Sequence, residues 1–126
     1  MIKFIVPIVA LGVAVYHSFP LIQVVGDSMY PTYLNSEIIF GTKFFRKSKL
    51  KIGDVIVYKS PREDRIVIKR IAYISADSRF VYCLGDNADH SYDSRHYGNV
   101  PSKRIVCKVI NQRRKEDYEL TNNLCD

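Results

Sequence analysis

Hydrophobic residues form one long block at the amino terminus and then short runs along the rest of the chain. Residues 2–16 are almost wholly apolar, with Lys3 as the only charge. From residue 21 onward, short runs rich in Val, Ile, Tyr and Phe alternate with turn residues, without a sustained 3.6-residue periodicity. Such runs are typical of β-strands, which we predict at residues 21–25, 37–42, 54–59, 65–73, 80–84 and 104–111.

The residues between these runs are the types that tight turns require, such as Pro31, Gly53, Pro61 and Gly85. The short strands predict a mainly β fold, a small and strongly bent antiparallel sheet or partial barrel. A chain of 126 residues holds one modest core. We therefore expect three parts, which are an anchor at residues 1–20, a β-rich domain at residues 21–111 and a polar tail, frayed or mobile, at residues 112–126.

The amino-terminal block is short for a membrane span, because a transmembrane helix needs about 20 apolar residues. Residues 15–17 offer no convincing signal cleavage site, and Pro7 disfavours a buried strand. We therefore predict an uncleaved single-pass transmembrane helix with His17 near the interface. Lys3 precedes the block and no further cation occurs before Lys43, which favours a domain on the external side of the cell's inner (plasma) membrane.

The charge balance favours a membrane over nucleic acid as a partner. The chain has 19 Lys and Arg residues against 13 acidic ones, a net charge of +6, but these charges are scattered apart from a dense run at residues 113–115. Its three cysteines lie far apart, which predicts neither a zinc site nor a disulfide framework. Cys83 and Cys107 lie in apolar runs and are expected to be buried. No cofactor or metal is expected.

One small hydroxyl, that of Ser28, lies in a turn whose backbone is restricted. Gly26 permits a positive φ or a close approach by another backbone, and Pro31 keeps Tyr30 out of helical geometry. A serine is a poor nucleophile unless a base removes its proton. Ser28 is therefore either a nucleophile with a base elsewhere in the chain or a hydroxyl that caps a turn.

Lys69 is the candidate base, because it lies within an apolar strand. Strand alternation places it on the same face as Val67 and Ile71. Burial disfavours the ammonium form and lowers the pKa of a lysine, so that it can accept a proton. The alternative is an ordinary strand lysine whose amine reaches solvent.

A polar loop at residues 85–98 provides the third group of candidates. It is rich in residues that hydrogen-bond their own backbone, with a glycine at each end. Asp93 and Arg95, two residues apart, are predicted to pair and brace the loop. Ser91 is a candidate to orient a neighbouring amine.

Together these motifs resemble the type I signal peptidases of bacteria and their relatives of the mitochondrial inner membrane. The matching segments occur in the family's order, at residues 26–32, 53–57 with Pro61, 69–71, 85–98, 100–101 and 108–109. The resemblance implies a membrane-anchored serine endopeptidase that removes signal peptides from exported precursor proteins, without a metal or cofactor. Its substrates would bind as an added β-strand, with small side chains at the first and third positions before the cut.

The same resemblance implies a role for each matched residue. Ser28 would be the nucleophile and Lys69 the general base, Ser91 would hydrogen-bond the lysine amine, and Asp93 and Arg95 would form a structural ion pair.

Two features depart from the family pattern. Gly26 stands where many members have a second hydroxyl. The backbone N–H groups of Ser28 and Gly26 are therefore expected to hold the oxyanion. Residues 71–82 join two strands directly, where many members carry a glycine- and proline-rich turn and an inserted subdomain. The chain is thus a minimal core.

Three competing interpretations stay open at this point. A repressor autoprotease of the LexA type also pairs such a serine with a later lysine, although the apolar amino terminus and the loop at residues 91–98 count against it. The branch of the family in the eukaryotic reticulum uses a histidine as base, with His90 and His96 as candidates here. The third interpretation is an inactive, membrane-bound binding module.

Overall fold

A single antiparallel sheet dominates the structure, a computed structural model that describes residues 2–114 and the side chains from residue 8 onward. Helix α1 (Ile2–Ser18) precedes the sheet, and a short helix α2 (Ser94–Tyr97) lies in the polar loop. Within the described residues the sheet has seven strands in the order β1-β2-β7-β3-β4-β5-β6. Their bounds are β1 (Leu21–Gln23), β2 (Ile38–Thr42), β3 (Val55–Lys59), β4 (Ile66–Ile74), β5 (Phe80–Leu84), β6 (Val100–Pro101) and β7 (Ile105–Val109).

The predicted mainly β, antiparallel fold is confirmed. All six predicted strands are present, and their ends differ from the prediction by at most two residues. Strand β6 was not predicted, because two residues are too short to show an alternating pattern and one of them is proline.

Strand β3 lies in the interior of the sheet and has residues buried on both faces. Val55 and Val57 pack into one apolar cluster with Val24, Met29 and Ile39, whereas Ile56 and Tyr58 pack into another. Successive residues of a strand point to opposite faces, so β3 contributes to both clusters. Strand β4 pairs with β3, so it also lies where both faces of the sheet are covered by apolar side chains.

Helix α1 extends the chain before the sheet, and all of its described side chains at residues 8–17 are exposed. Across residues 2–114, no helix combines the length and the apolar character needed to cross a membrane. The 17 residues of α1 rise by about 26 Å, whereas the hydrocarbon core of a bilayer is about 30 Å thick. The helix was predicted correctly, but the predicted transmembrane span is not found in the described residues.

The first residues of the predicted tail contact the sheet. Gln112 accepts a hydrogen bond from the Val55 N–H at 2.8 Å and donates one to the Val55 carbonyl at 3.0 Å. Ordered contacts therefore continue past residue 111. The rest of the predicted tail, residues 115–126, lies outside the described residues.

Candidate active site

A tight turn between two buried residues presents Ser28. Val24 and Met29 are buried in the same cluster on either side of it. Gly26 has a φ of +86°, a backbone conformation that glycine adopts without strain. The Tyr30 N–H donates to the Asp27 carbonyl at 3.1 Å and closes the turn. The hydroxyl of Ser28 therefore lies on a restrained backbone, as the sequence predicted.

Lys69 lies in β4, directly opposite Ile56 of β3. Its side chain is almost fully buried, with 5% of the residue exposed. The Nζ of Lys69 donates a hydrogen bond to the Oγ of Ser28 over 2.7 Å. The structure thus brings together the two residues that the sequence singled out as nucleophile and base.

The surroundings of Lys69 favour its neutral form. Burial lowers the pKa of Lys69 from 10.5 to about 8, although the charge of Asp93 opposes this change. With that pKa, roughly a tenth of the molecules carry a neutral amine at pH 7. A neutral amine at this distance can take the proton of the Ser28 hydroxyl, which is what a serine needs to act as a nucleophile.

The buried carboxylate of Asp93 organises the polar loop. It accepts hydrogen bonds from Nε and Nη2 of Arg95 at 2.9 and 2.7 Å, and from the Gly85 N–H at 2.9 Å. Burial alone would raise the pKa of Asp93, but the hydrogen bonds from Arg95, Gly85 and Ser91 hold that pKa well below its usual range. The predicted ion pair between Asp93 and Arg95 is present.

Ser91 differs from its predicted role. Its Oγ donates to Asp93 over 2.7 Å, whereas the Lys69 amine makes no hydrogen bond to Ser91 within residues 2–114. An ionised carboxylate is the stronger acceptor, so the hydroxyl points toward it. The side chain of Ser91 also packs on Gly85, where a Cβ would collide with Ser91 and lie 2.6 Å from the Ser28 carbonyl oxygen.

A second ion pair, which the sequence did not predict, supports the turn that carries Ser28. Arg70 donates to both oxygens of Asp86 at 2.9 Å. The next residue, Asn87, donates from its backbone to the Ser28 carbonyl at 2.9 Å and from its side chain to the Asp27 carbonyl at 3.0 Å. The sequence signal is that Arg70 and Asp86 both lie in segments that match the family, at residues 69–71 and 85–98.

The two backbone groups predicted to hold an oxyanion have different environments. The Gly26 N–H already donates to Oδ1 of Asn35 at 2.9 Å, so this donor is engaged. The Ser28 N–H has no acceptor within the described residues. The geometry therefore favours Ser28 over Gly26 as an oxyanion donor.

A cleft of about 360 Å³ opens beside the Ser28 and Lys69 side chains, which both line it. Its other walls come from the ends of β1 and β4, with Ile22, Val25 and Ile66 among them. Residues 66–69 of β4 pair with β3 on one side, but pairing with β5 begins only at Arg70. The second edge of residues 66–69 is therefore unpaired in the described part of the sheet, and an extended peptide can bind there.

The histidines lie apart from this pair. His96 accepts a hydrogen bond from the Asp93 N–H at 3.2 Å, and His90 lies near Asp27 and Tyr30. Neither histidine hydrogen-bonds Ser28 in the described part of the chain. Among residues 2–114, no three His, Cys, Asp or Glu side chains are grouped so as to hold a metal ion.

The chain is similar to known peptidases. It is 30% identical over 154 aligned positions to the mitochondrial inner membrane protease subunit 1 of Schizosaccharomyces pombe, an alignment that covers 98% of this chain and 95% of the relative. The mouse protein of the same name is 29% identical over 105 residues, or 68% of this chain and 63% of the relative. The signal peptidase complex catalytic subunit SEC11 of Clavispora lusitaniae is 29% identical over 80 residues, or 62% of this chain and 47% of the relative. This chain thus spans less than two thirds of the latter two relatives.

A family profile described as "Signal peptidase, peptidase S26" matches in two segments, residues 1–78 and 72–111. These segments include both Ser28 and Lys69 and all of the sheet. The chain therefore belongs to the S26 signal peptidase family, a family of serine peptidases.

Proposed function

We propose that this chain is a membrane-attached serine endopeptidase that removes amino-terminal signal peptides from precursor proteins. Ser28 is the nucleophile and Lys69 the general base. The observation that carries the proposal is the 2.7 Å distance between Lys69 Nζ and Ser28 Oγ, in a site where Lys69 is only 5% exposed.

The proposed reaction is acyl transfer through a covalent intermediate. Neutral Lys69 removes the proton of Ser28 Oγ while that oxygen attacks the scissile carbonyl carbon. The Ser28 N–H donates to the oxyanion, and the leaving amine takes the proton from Lys69 as the peptide bond breaks. A water molecule, deprotonated by Lys69, then attacks the ester, and Ser28 recovers its proton.

The unpaired edge of β4 supports the binding of an extended precursor segment. A strand added beside residues 66–69 would pass the Ser28 hydroxyl, since Ser28 and Lys69 line the same cleft. Side chains alternate along such a strand, so the first and third residues before the cut face the same side.

Attachment through α1 is supported by its exposed apolar side chains. The consecutive residues Ile8, Val9 and Ala10 are all exposed, and successive side chains point about 100° apart around a helix. A helix that is apolar on all sides is stable when lipid or protein surrounds it. Relatives in S. pombe, mouse and Arabidopsis thaliana are named for the mitochondrial inner membrane. We therefore propose an inner membrane of that kind, in place of the plasma membrane predicted from the sequence.

Three variants of the full chain test this function on a precursor that carries a signal peptide. Ser28→Ala and Lys69→Ala are expected to lower the cleavage rate by about 10²–10⁴-fold, because each removes a group that the chemistry needs. His96→Ala should keep most of the activity, since His96 contacts the Asp93 N–H and the Tyr92 ring and makes no hydrogen bond to Ser28 or Lys69 in the described part of the chain. Cleavage that persists in Ser28→Ala or Lys69→Ala would refute the proposed pair, whereas loss in His96→Ala alone would favour a histidine base.

The same preparations distinguish a signal peptidase from an autoprotease and from a binding module. An autoprotease of the LexA type would cleave itself before Ser28, which mass spectrometry of the purified chain would detect. A binding module would hold the precursor without cutting it. We expect neither result.

A further inference from the structure

A segment at residues 43–51, here called the basic segment, concentrates positive charge on one part of the surface. Its nine residues include five cations and no acidic residue, and all five cations are exposed. They are Lys43, Arg46, Lys47, Lys49 and Lys51. None of these side chains forms an ion pair with a carboxylate in the part of the chain that the structure describes.

Two apolar residues fix the basic segment to the core. Leu50 is buried, and Phe45 packs against the same cluster. Between them, Lys47–Lys49 form a short 3-10 turn. The backbone of the basic segment is therefore held at Phe45 and at Leu50, while its cations point away from the core.

The basic segment forms one wall of a groove of about 750 Å³. Lys43, Arg46 and Lys49 line it together with Lys108 from β7, which pairs with Asp54 at 3.2 Å. The ring of Phe44 lies at its edge and is 72% exposed. The groove thus combines several cations with an exposed aromatic ring.

The groove lies where α1 joins the sheet. The Lys43 N–H donates to the Ser18 carbonyl at 2.9 Å, and the rings of Phe19 and Phe44 lie 5.7 Å apart. Ser18 is the last residue of α1. If α1 is inserted in a bilayer, as the proposed function requires, the basic segment lies at the depth of the lipid headgroups.

We propose that the basic segment binds the phosphate groups of anionic phospholipids in the bilayer that holds α1. Lysine and arginine donate charge-assisted hydrogen bonds to phosphate oxygens, and an anionic leaflet attracts clustered cations. Headgroups bound beside Lys43 restrain the rotation of the sheet about the end of α1. The open cleft at Ser28 is thereby kept at a fixed height above the membrane.

A fluorescent probe tests this inference in the full chain. The sequence contains no tryptophan, so Phe44→Trp introduces a single indole beside the basic segment. The chain is mixed with vesicles of phosphatidylcholine alone or with added phosphatidylglycerol. Two quantities are measured, the fraction of chain that sediments with the vesicles and the quenching of the indole by brominated phospholipids.

A matched pair of variants separates the basic segment from charge in general. Arg46→Gln with Lys49→Gln removes two cations from the groove. Lys59→Gln with Arg62→Gln removes two exposed cations at the carboxyl end of β3, of which Lys59 pairs with Asp64 at 2.9 Å. Each Lys or Arg near an anionic surface strengthens binding by about fivefold. The groove pair should therefore lower the ratio of binding to anionic over neutral vesicles by roughly 25-fold, and the control pair should lower it much less.

The outcomes distinguish this inference from the proposed membrane attachment. Stronger binding and stronger quenching with phosphatidylglycerol, lost in the groove pair alone, would support it. Equal binding and quenching in neutral and anionic vesicles, or equal losses in both pairs, would overturn it, even if α1 holds the chain on neutral vesicles. A change in indole emission produced equally by inorganic phosphate or by a soluble acidic peptide, at matched ionic strength, would also overturn it. Failure to bind neutral vesicles, with binding to anionic ones retained, would refute attachment by α1 and leave the basic segment as the lipid contact.

Discussion

Lys69 and Arg70 are consecutive cations of β4, and they differ in their hydrogen-bond partners: a hydroxyl for Lys69 and a carboxylate for Arg70. Lys69 is buried with the Ser28 hydroxyl as its hydrogen-bond partner, and burial lowers the pKa of its amine to about 8. Arg70 is also largely buried, and burial alone would lower its pKa, but the Asp86 carboxylate accepts hydrogen bonds from Nε and Nη2 of its guanidinium and raises that pKa instead.

The comparison shows that burial alone does not decide what a cation does. A buried amine without a bonded carboxylate becomes neutral at accessible pH, which suits a base. A buried guanidinium with a bidentate carboxylate stays charged, and it fixes the geometry of the loop that carries Asn87. One strand thus carries the proposed base on one face and, on the other, an arginine whose ion pair supports the turn that carries Ser28.

Replacing the amine of Lys69 with a guanidinium should have the largest effect on the rate of cleavage. Lys69→Arg keeps the positive charge and a similar length, but a guanidinium does not lose its proton in a protein. We expect the rate of precursor cleavage to fall by about 10²–10⁴-fold, as for Lys69→Ala. Arg70→Lys is the matched exchange on the next residue and should keep measurable activity, because an ammonium still pairs with Asp86. An active Lys69→Arg variant would show that residue 69 only positions Ser28.

Removing the carboxylate of Asp86, which pairs with Arg70, should mainly lower the stability of the fold. In Asp86→Asn the guanidinium of Arg70, whose side chain is 15% exposed, loses its charged partner. The free energy of unfolding should fall by about 3 kcal/mol, as measured by urea denaturation. Asp77→Asn removes an exposed carboxylate that also pairs with an arginine, and it should leave the denaturation midpoint unchanged. Equal midpoints for the two variants would mean that the Arg70–Asp86 pair is not a brace.

The dependence of the rate on pH should show the titration of Lys69 alone. The charged amine cannot act as a base, so the rate should rise about tenfold per pH unit below the pKa of about 8 and level off above it. Asp93 does not titrate in this pH range, since its hydrogen bonds keep its pKa far lower. A rate of cleavage that falls across the same range would contradict a neutral lysine base. Metal chelators should leave the profile unchanged.

The sequence predicted those features that depend on local pattern. Alternation along one strand placed Lys69 on an apolar face, and a spacing of two residues was enough to pair Asp93 with Arg95. The strands were found because each is an apolar run between turn residues. The role of Ser28 and Lys69 in chemistry remains a proposal that the variants above test.

The features that the sequence did not predict depend on contacts between distant segments. Asn35 engages the Gly26 N–H from nine residues away, and Asp86 reaches Arg70 across sixteen. The Ser91 hydroxyl donates to Asp93, and whether it also reaches the Lys69 amine is set by how the loop packs on β4. Such contacts are set by the packing of loops on the sheet, which a linear pattern does not contain.

The irregular register between Ile71 and Tyr73 separates Lys69 from the hairpin that follows. Extra or missing residues in that hairpin can be absorbed beyond the irregularity, so that the strand keeps its phase at Lys69. The two segments matched by the family profile meet at residues 72–78, within this same hairpin. The hairpin can therefore change in length beyond the irregularity while the Lys69 amine stays aligned with the Ser28 hydroxyl.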